Sequence, residues 1–219
     1  MDDVAAVLFD MDGTLVDSDA AVERAWTTWA GEHGVEPAAV LAVAHGAPAR
    51  DTVRRLLPDL DEAAVTASAV RQLALQYDDL ADLTATTGAR DLIGVLDRRG
   101  LPWAVVTSAD ARLAAARLGA AGIVAPVLVT ETDVARGKPY PEGYLTAARR
   151  LGVPAARCLV VEDSTTGLAA GRAAGMRTAG LRGLAADLRL RDLAQLADLL
   201  APGARRRRDG VRPAVERTC

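Results

Sequence analysis

Three aspartates, Asp10, Asp12 and Asp17, follow directly on the apolar run VAAVLF, with Gly13 and Thr14 between them. Carboxylates at the end of a buried segment are costly unless a positive charge meets them. Further along, Thr107 and Ser108 close the run WAVV, Lys138 lies in ARGKPY, and Glu162 and Asp163 close CLVV. Gathered in one crevice, the carboxylates of Asp10, Asp12, Glu162 and Asp163 require a cation, and hard oxygen ligands beside a phosphate suit Mg²⁺. Lys138, with the hydroxyls of Thr107 and Ser108, would bind a second anion. A phosphoryl group is the best fit, because its transfer needs positioning and charge neutralisation more than any other help.

Ordinary pKa values then divide the work. Asp10 is ionised at neutral pH and can attack phosphorus once Mg²⁺ and Lys138 offset the repulsion between two anions, giving an aspartyl-phosphate. Asp12, two residues on, can protonate the leaving alkoxide and then deprotonate the water that cleaves the intermediate. The metal set is Asp10, Asp12 through its backbone carbonyl, Asp163, and Glu162 either directly or through a water. Gly13 lets the backbone turn away and, with Ser108, is expected against the substrate. Asp17 reads as the N-terminal cap or hinge of the helix that follows. Of the 26 basic residues Lys138 alone is lysine, which marks a place where a compact ammonium is needed rather than a planar fork.

Those side chains must be delivered by the ends of strands. Apolar runs of strand length recur at Val4–Phe9, Trp103–Thr107, Val127–Thr130 and Cys158–Val161, with a shorter one near Thr178–Leu181. They are continuous rather than alternating, the pattern of strands buried on both faces. Helical stretches alternate with them: Ala89–Arg99, Ala111–Ala121, Pro141–Leu151 and Gly167–Ala174. The order predicts an α/β fold with a doubly wound parallel sheet, whose ligands bind beyond the carboxyl ends of the strands. Between Asp17 and Ala85 no strand is expected. Asp19–His33, Pro48–Leu57 and Asp61–Leu83 read as helices, so an all-helical cap is inserted after the first strand. The domains are then a hydrolase core of residues 1–16 and 86–203, a cap of residues 17–85, and a disordered basic tail of residues 204–219. In the cap, His45, Gly46 and Arg50 are the groups expected to reach substrate, while Trp26 and Trp29, spaced by three, should pack the cap core.

Composition narrows the partners. A formal net charge of −3 gives no reason to propose nucleic acid or an anionic membrane. The two cysteines, Cys158 and Cys219, allow neither a disulfide framework nor a zinc spacing. The opening MDD has no basic region or long uncharged stretch, so neither a signal peptide nor a membrane span is expected. A cytoplasmic monomer acting on a small phosphorylated sugar or polyol is the expectation.

FDMDGTLVDS resembles the first motif of the haloacid dehalogenase superfamily, VVTS its second, the Lys138 of GKP its third and VVEDS its fourth. All four occur in order, and the resemblance covers nearly the whole chain. It implies a Rossmann-like hydrolase core and the small helical cap of subfamily I. Dehalogenase members lack the second aspartate of the first motif, so Asp12 argues for phosphate esters. Phosphonatase-like members use a cap lysine, and the cap has none. A phosphosugar mutase like β-phosphoglucomutase is the alternative, weakened by the lack of a histidine in DAAVERAW. HGAPARDTVRRL, LPWAVVTSA, GKPYPEGYLTAARRLG and CLVVEDSTTGLAAGRAAGM look like the sugar phosphatases that include the 2-deoxyglucose-6-phosphate and glycerol phosphate enzymes. The chain departs from them at Ala109-Asp110, at Ser164-Thr165-Thr166 and at Ala47.

Overall fold

The run AVLF forms strand β1 (Ala6–Phe9), and none of its side chains is exposed. Successive residues of a strand face opposite sides, and here both sides are apolar: Val7 and Phe9 join one core cluster, Ala6 and Leu8 another. The computed structural model describes residues 1, 3–44, 47–77 and 79–201. In it the chain leaves β1 and returns through a two-stranded antiparallel ribbon of β2 (Val16–Asp17) and β3 (Thr84–Ala85). The strand-free stretch expected from the sequence is therefore bounded by two very short strands.

Beyond the ribbon come β4 (Trp103–Val106), β5 (Leu128–Val129), β6 (Cys158–Glu162), β7 (Arg177–Gly180) and β8 (Leu188–Arg189). With β1 they make one sheet in the order β5-β4-β1-β6-β7-β8, every pairing parallel. On the Val7 side lie α5 (Ala89–Arg99), α6 (Ala111–Ala120) and α9 (Leu193–Leu200), which bury Leu92, Leu96, Leu113 and Leu193. On the Leu8 side α7 (Glu142–Leu151) and α8 (Thr165–Ala173) bury Tyr144, Ala147 and Ala170. Each large apolar side chain so removed from water contributes roughly 1.5–3 kcal/mol before entropy is subtracted. The doubly wound parallel sheet is thus present. β8 and α9, which the apolar runs do not foretell, extend it at one edge and cover it.

Between β2 and β3 lie α1 (Asp19–His33), α2 (Pro37–Ala44), α3 (Ala49–Leu56) and α4 (Glu62–Tyr77). They enclose a separate core of Trp26, Trp29, Val40, Val53 and Val65. Trp26 and Trp29 meet edge to face with centroids 5.3 Å apart and pack that core, as expected. Helix α2 is not expected from the sequence, and α4 stops at Tyr77 rather than running to Leu83. Among the described residues no helix is long and apolar enough to cross a membrane. His45, Gly46 and residues 204–219 lie outside the described residues.

The sheet order reverses at β1, with β4 and β5 to one side and β6, β7 and β8 to the other. Crossovers that depart in opposite directions leave a crevice at the carboxyl ends of the two strands flanking the switch. Those are the ends that carry Asp10 and Asp163.

Candidate active site

Register places the first pair of acids. Phe9 pairs with Val161 across β1 and β6, so Asp10 and Glu162 are the next residues along neighbouring strands, and the Asp10 amide donates to the Val161 carbonyl at 3.0 Å. The Lys138 ammonium joins them, donating to Asp10 Oδ1 and, at 2.7 Å, to Glu162 Oε1. Asp163 completes the group: carboxylate oxygens of Asp10, Glu162 and Asp163 lie within 4.8 Å of one another, and all three residues are buried. Burial pushes the Asp10 carboxyl well above its ordinary value; Lys138 opposes this, and Glu162 and Asp163 add to it. Burial by itself would lower the Lys138 ammonium, but Asp10 and Glu162 outweigh it and hold it above the usual lysine range. Lys138 is therefore a fixed positive charge at any working pH.

Glu162 has a full complement of donors. Oε1 accepts from Lys138 and, at 2.8 Å, from the buried Tyr144 hydroxyl; Oε2 accepts from the Ser164 amide at 3.1 Å and its hydroxyl at 2.8 Å. A carboxylate offers about four lone-pair sites, so a metal bound directly to Glu162 would displace one of these donors. Gly167 of α8 makes room for the carboxylate, since a Cβ there would come within 1.6 Å of Glu162 Oε1. Glu162, which the sequence offers as a metal ligand, thus also anchors Lys138 and Tyr144.

Asp163 is held differently. Arg182 Nε lies 3.0 Å from Asp163 Oδ2, and the Thr14 hydroxyl lies 3.4 Å from Oδ1. Gly13 has φ 75°, a left-handed conformation that favours glycine. A Cβ at Gly13 would also stand 2.1 Å from Asp163 Oδ2. Gly13, expected against the substrate, makes space for Asp163.

Asp12 projects from the turn beyond β1. Its Oδ1 accepts from the Ser18 hydroxyl at 2.8 Å and pairs with Arg117 Nη1 at 2.6 Å. Ser18 occupies the N-cap position of α1, yet its side chain makes no capping bond and goes to Asp12 instead. Asp17, read from sequence as the cap or hinge, is an exposed residue of β2. After β4, Thr107 Oγ1 accepts from the Ala109 amide at 3.0 Å, which leaves its proton to donate elsewhere.

These groups share a cavity of about 640 Å³ between the strand ends and helices α1 to α4. The core side supplies Asp10, Asp12, Thr107, Ser108, Lys138 and Asp163, and the helical side supplies Trp26, Arg50, Gln72 and Gln76. Arg50 reaches the cavity from an exposed position, but its guanidinium also donates to Glu62 and so ties α3 to α4.

The haloacid dehalogenase-like hydrolase family model matches residues 4–175, a span that contains all four acidic, hydroxyl and lysine sites. The chain belongs to this family of hydrolases. Hexitol phosphatase A of Escherichia coli (strain K12) is 42% identical over 187 residues, 85% of this chain and 87% of that one. The 2-deoxyglucose-6-phosphate phosphatase 1 of Saccharomyces cerevisiae is 33% identical over 192 residues, 80% of this chain and 78% of that one. Among solved structures, β-phosphoglucomutase of Clostridium difficile matches with TM-score 0.78 over 88% of this chain and 93% of that one, at 20% identity, a likeness of fold alone.

Four side chains of this hydrolase's site are not singled out by its motifs: Arg117, Gln72, Gln76 and Tyr144. A signal existed for the first three. The buried side of α6 consists of Leu113, Ala114, Arg117 and Leu118, a guanidinium on an apolar stripe. In α4 the buried positions are Val65, Ser68, Gln72 and Gln76, three of them polar. Buried polar groups demand partners, and polar residues at core spacing are where that demand is readable.

Proposed function

We propose that this enzyme is a Mg²⁺-dependent phosphatase of small sugar or polyol monophosphates that works through an aspartyl-phosphate on Asp10. That it is a phosphatase rests on the family match and on phosphatase relatives at 42% and 33% identity. The observation that carries the chemistry is the single ammonium of Lys138 between Asp10 and Glu162, with Asp12 and Asp163 on the same cavity.

The donor set fits Mg²⁺. Asp10 and Asp163 offer hard carboxylate oxygens that lie close together, with Glu162, in a buried group. These two, with the Asp12 backbone carbonyl, would hold the ion, while Glu162 acts by fixing Lys138. Once bound, it would supply charge neutralisation at the phosphoryl oxygens.

Lys138 and the hydroxyls of Thr107 and Ser108 would orient the phosphoryl group with its phosphorus facing Asp10. A carboxylate oxygen of Asp10 forms a bond to phosphorus as the bond from phosphorus to the sugar oxygen breaks. Asp12, protonated, gives its proton to that departing oxygen. Water then attacks phosphorus, Asp12 takes the proton it loses, and the bond to Asp10 breaks. Phosphate leaves, and both aspartates return to their starting forms.

Residues 17–85 are the cap in this reading, with His45, Gly46 and Arg50 as its candidates for substrate contact. A cavity of about 640 Å³ is the size of a small-molecule site. A phosphosugar mutase is the rival, supported by fold likeness alone. A cytoplasmic monomer is the assumed setting. The test is phosphate release from hexitol, deoxyhexose and glycerol monophosphates beside a phosphopeptide. Efficient release from the small esters alone supports the reading. Isomerisation without free phosphate would favour the mutase, and preference for the phosphopeptide would overturn the small-substrate reading.

A further inference from the structure

Arg117 lies on the apolar side of α6, and its side chain is 3% exposed. Its fork bridges the strand ends and the helical side of the cavity. Nη1 pairs with Asp12 Oδ1 at 2.6 Å, and Nη2 donates to Gln76 Oε1 of α4 at 2.6 Å. Gln76 in turn donates through Nε2 to Gln72 Oε1 at 2.7 Å. The side chains form one connected series in which the guanidinium donates both to the Asp12 carboxylate and to the first of two amides on the helical side of the cavity. Two buried donors along it, Arg117 Nε and Gln72 Nε2, have no hydrogen-bond partner among the described residues.

Stability does not account for this arrangement. Removing a guanidinium from water carries a desolvation penalty of several kcal/mol, and a well-packed apolar side chain in such a place is often as good or better. Leu113, Leu118 and Ala114 show that the neighbouring positions of the same face are apolar. Recognition of the phosphoryl group does not account for it either, because the fork is already engaged by Asp12 and Gln76.

What the contact does accomplish is to hold a partly exposed acid in one orientation. Asp12 stands past the end of β1, and its side chain is 29% exposed. Ser18 and Arg117 both bind Oδ1, so Oδ2 is the oxygen not engaged by either. A general acid works only when its proton lies within hydrogen-bond reach of the leaving oxygen, and supporting groups must hold it there.

We propose that Arg117 is a positioning residue for Asp12: it grips Oδ1, turns Oδ2 toward the leaving oxygen, and through Gln76 and Gln72 ties that orientation to helix α4. The assignment rests on the phosphatase reading, with Asp12 as the proton carrier. Arg117 itself touches no reacting atom.

A double-mutant cycle tests it. Arg117→Met and Arg117→Lys are made alone and together with Asp12→Asn, and each protein is assayed on a polyol phosphate and on p-nitrophenyl phosphate. General acid–base help contributes on the order of 10²–10⁴-fold, so Arg117→Met should lower kcat for the polyol ester on the order of 10- to 100-fold. The pre-steady-state burst of p-nitrophenol should hardly change, because that leaving group needs no proton. Arg117→Lys should recover part of the loss. In the Asp12→Asn background, Arg117→Met should add little, because the group it positions is gone.

Equal loss on both esters, or losses that multiply in the double variant, would overturn the proposal and leave Arg117 a structural residue. Unchanged turnover by Arg117→Met would overturn it as well. Should Arg117→Met fail to fold, as judged by circular dichroism, Arg117→Lys and Gln76→Met enter the same cycle, and the same outcomes support or overturn the role. A wild-type enzyme that releases no phosphate from any alkyl ester overturns the phosphatase reading, and this role with it. Normal wild-type turnover with multiplicative losses overturns only the role of Arg117.

Discussion

Replacing Glu162 with glutamine separates an anchor for Lys138 from a metal ligand. The substitution keeps the shape but removes the charge, and it puts an amide NH₂ where one of two oxygens now accepts from two donors. Whichever way the amide turns, its NH₂ meets a group that can only donate: the Lys138 ammonium on one side, or the Ser164 amide on the other. Glu162 is fully buried and the Lys138 side chain 6% exposed, so water cannot step in. Breaking a buried ion pair costs about 3–5 kcal/mol, and because Asp10 remains as a partner for Lys138 the lower end, about 3 kcal/mol, is expected. In a chain of this length 1 kcal/mol moves Tm by about 2–4 °C, so a fall of roughly 6–12 °C follows. The folded value of Lys138 is raised, so its contribution is fully present below the unfolded lysine value of about 10.4 and is lost only as pH rises through the folded one. The deficit should therefore be the same at pH 7 and pH 9. Thermal unfolding by circular dichroism measures it, and a parallel Mg²⁺ titration of activity compares Glu162→Gln with Asp163→Asn. A Tm within about 2 °C of wild type, or a loss of Mg²⁺ affinity as large as that of Asp163→Asn, would refute the anchor role.

Asp10→Asn should abolish turnover with the far-UV spectrum intact, since an amide cannot form the acyl-phosphate; retention of more than a small fraction of phosphate release would show otherwise. Chelation by EDTA should silence the enzyme and Mg²⁺ restore it, with Ca²⁺ a poor substitute because its looser, higher coordination misplaces the carboxylate; full activity in a metal-free preparation would contradict this. Gly13→Ala should lower both activity and Tm, because its Cβ would stand 2.1 Å from Asp163 Oδ2 at φ 75°, and wild-type kinetics would count against that packing. Asp133 accepts from the Thr130 amide and hydroxyl, both at 2.9 Å, and from Arg150, and these bonds hold its carboxyl at about 2. Its folded value is depressed, so its contribution is present above the unfolded value of about 3.9 and lost as pH falls through the folded one. Asp133→Ala should therefore cost about 1 kcal/mol at pH 7, the usual size of a lost cap. Urea unfolding should show that difference shrinking between pH 4 and pH 2, and a pH-independent difference would refute the cause.

The sequence by itself determined most of the sheet and the residue types carried at its strand ends. Strands buried on both faces must be apolar at every position, so VAAVLF, WAVV and CLVV are legible without coordinates, and so are the acids and hydroxyls placed just past their ends. It also marked α1, α3 and α4 between β2 and β3, since helical periodicity needs no partner to be read. Short elements outside a longer apolar run were not legible: β2, β3 and β8 have two residues each and are held by the strand alongside, whereas β5, equally short, lies in the apolar run Val127–Thr130. The same is true of roles. That Glu162 accepts from Lys138 and Tyr144 together depends on Tyr144 arriving from α7 and on the space left by Gly167 in α8. That Ser18 serves Asp12 instead of capping α1, and that Arg117 links Asp12 to α4, depends on contacts between residues 6, 105 and 41 positions apart. Residue types announce what a side chain can do, but which of its partners it meets is set by how separate helices and strands pack, and only the tertiary structure decides that.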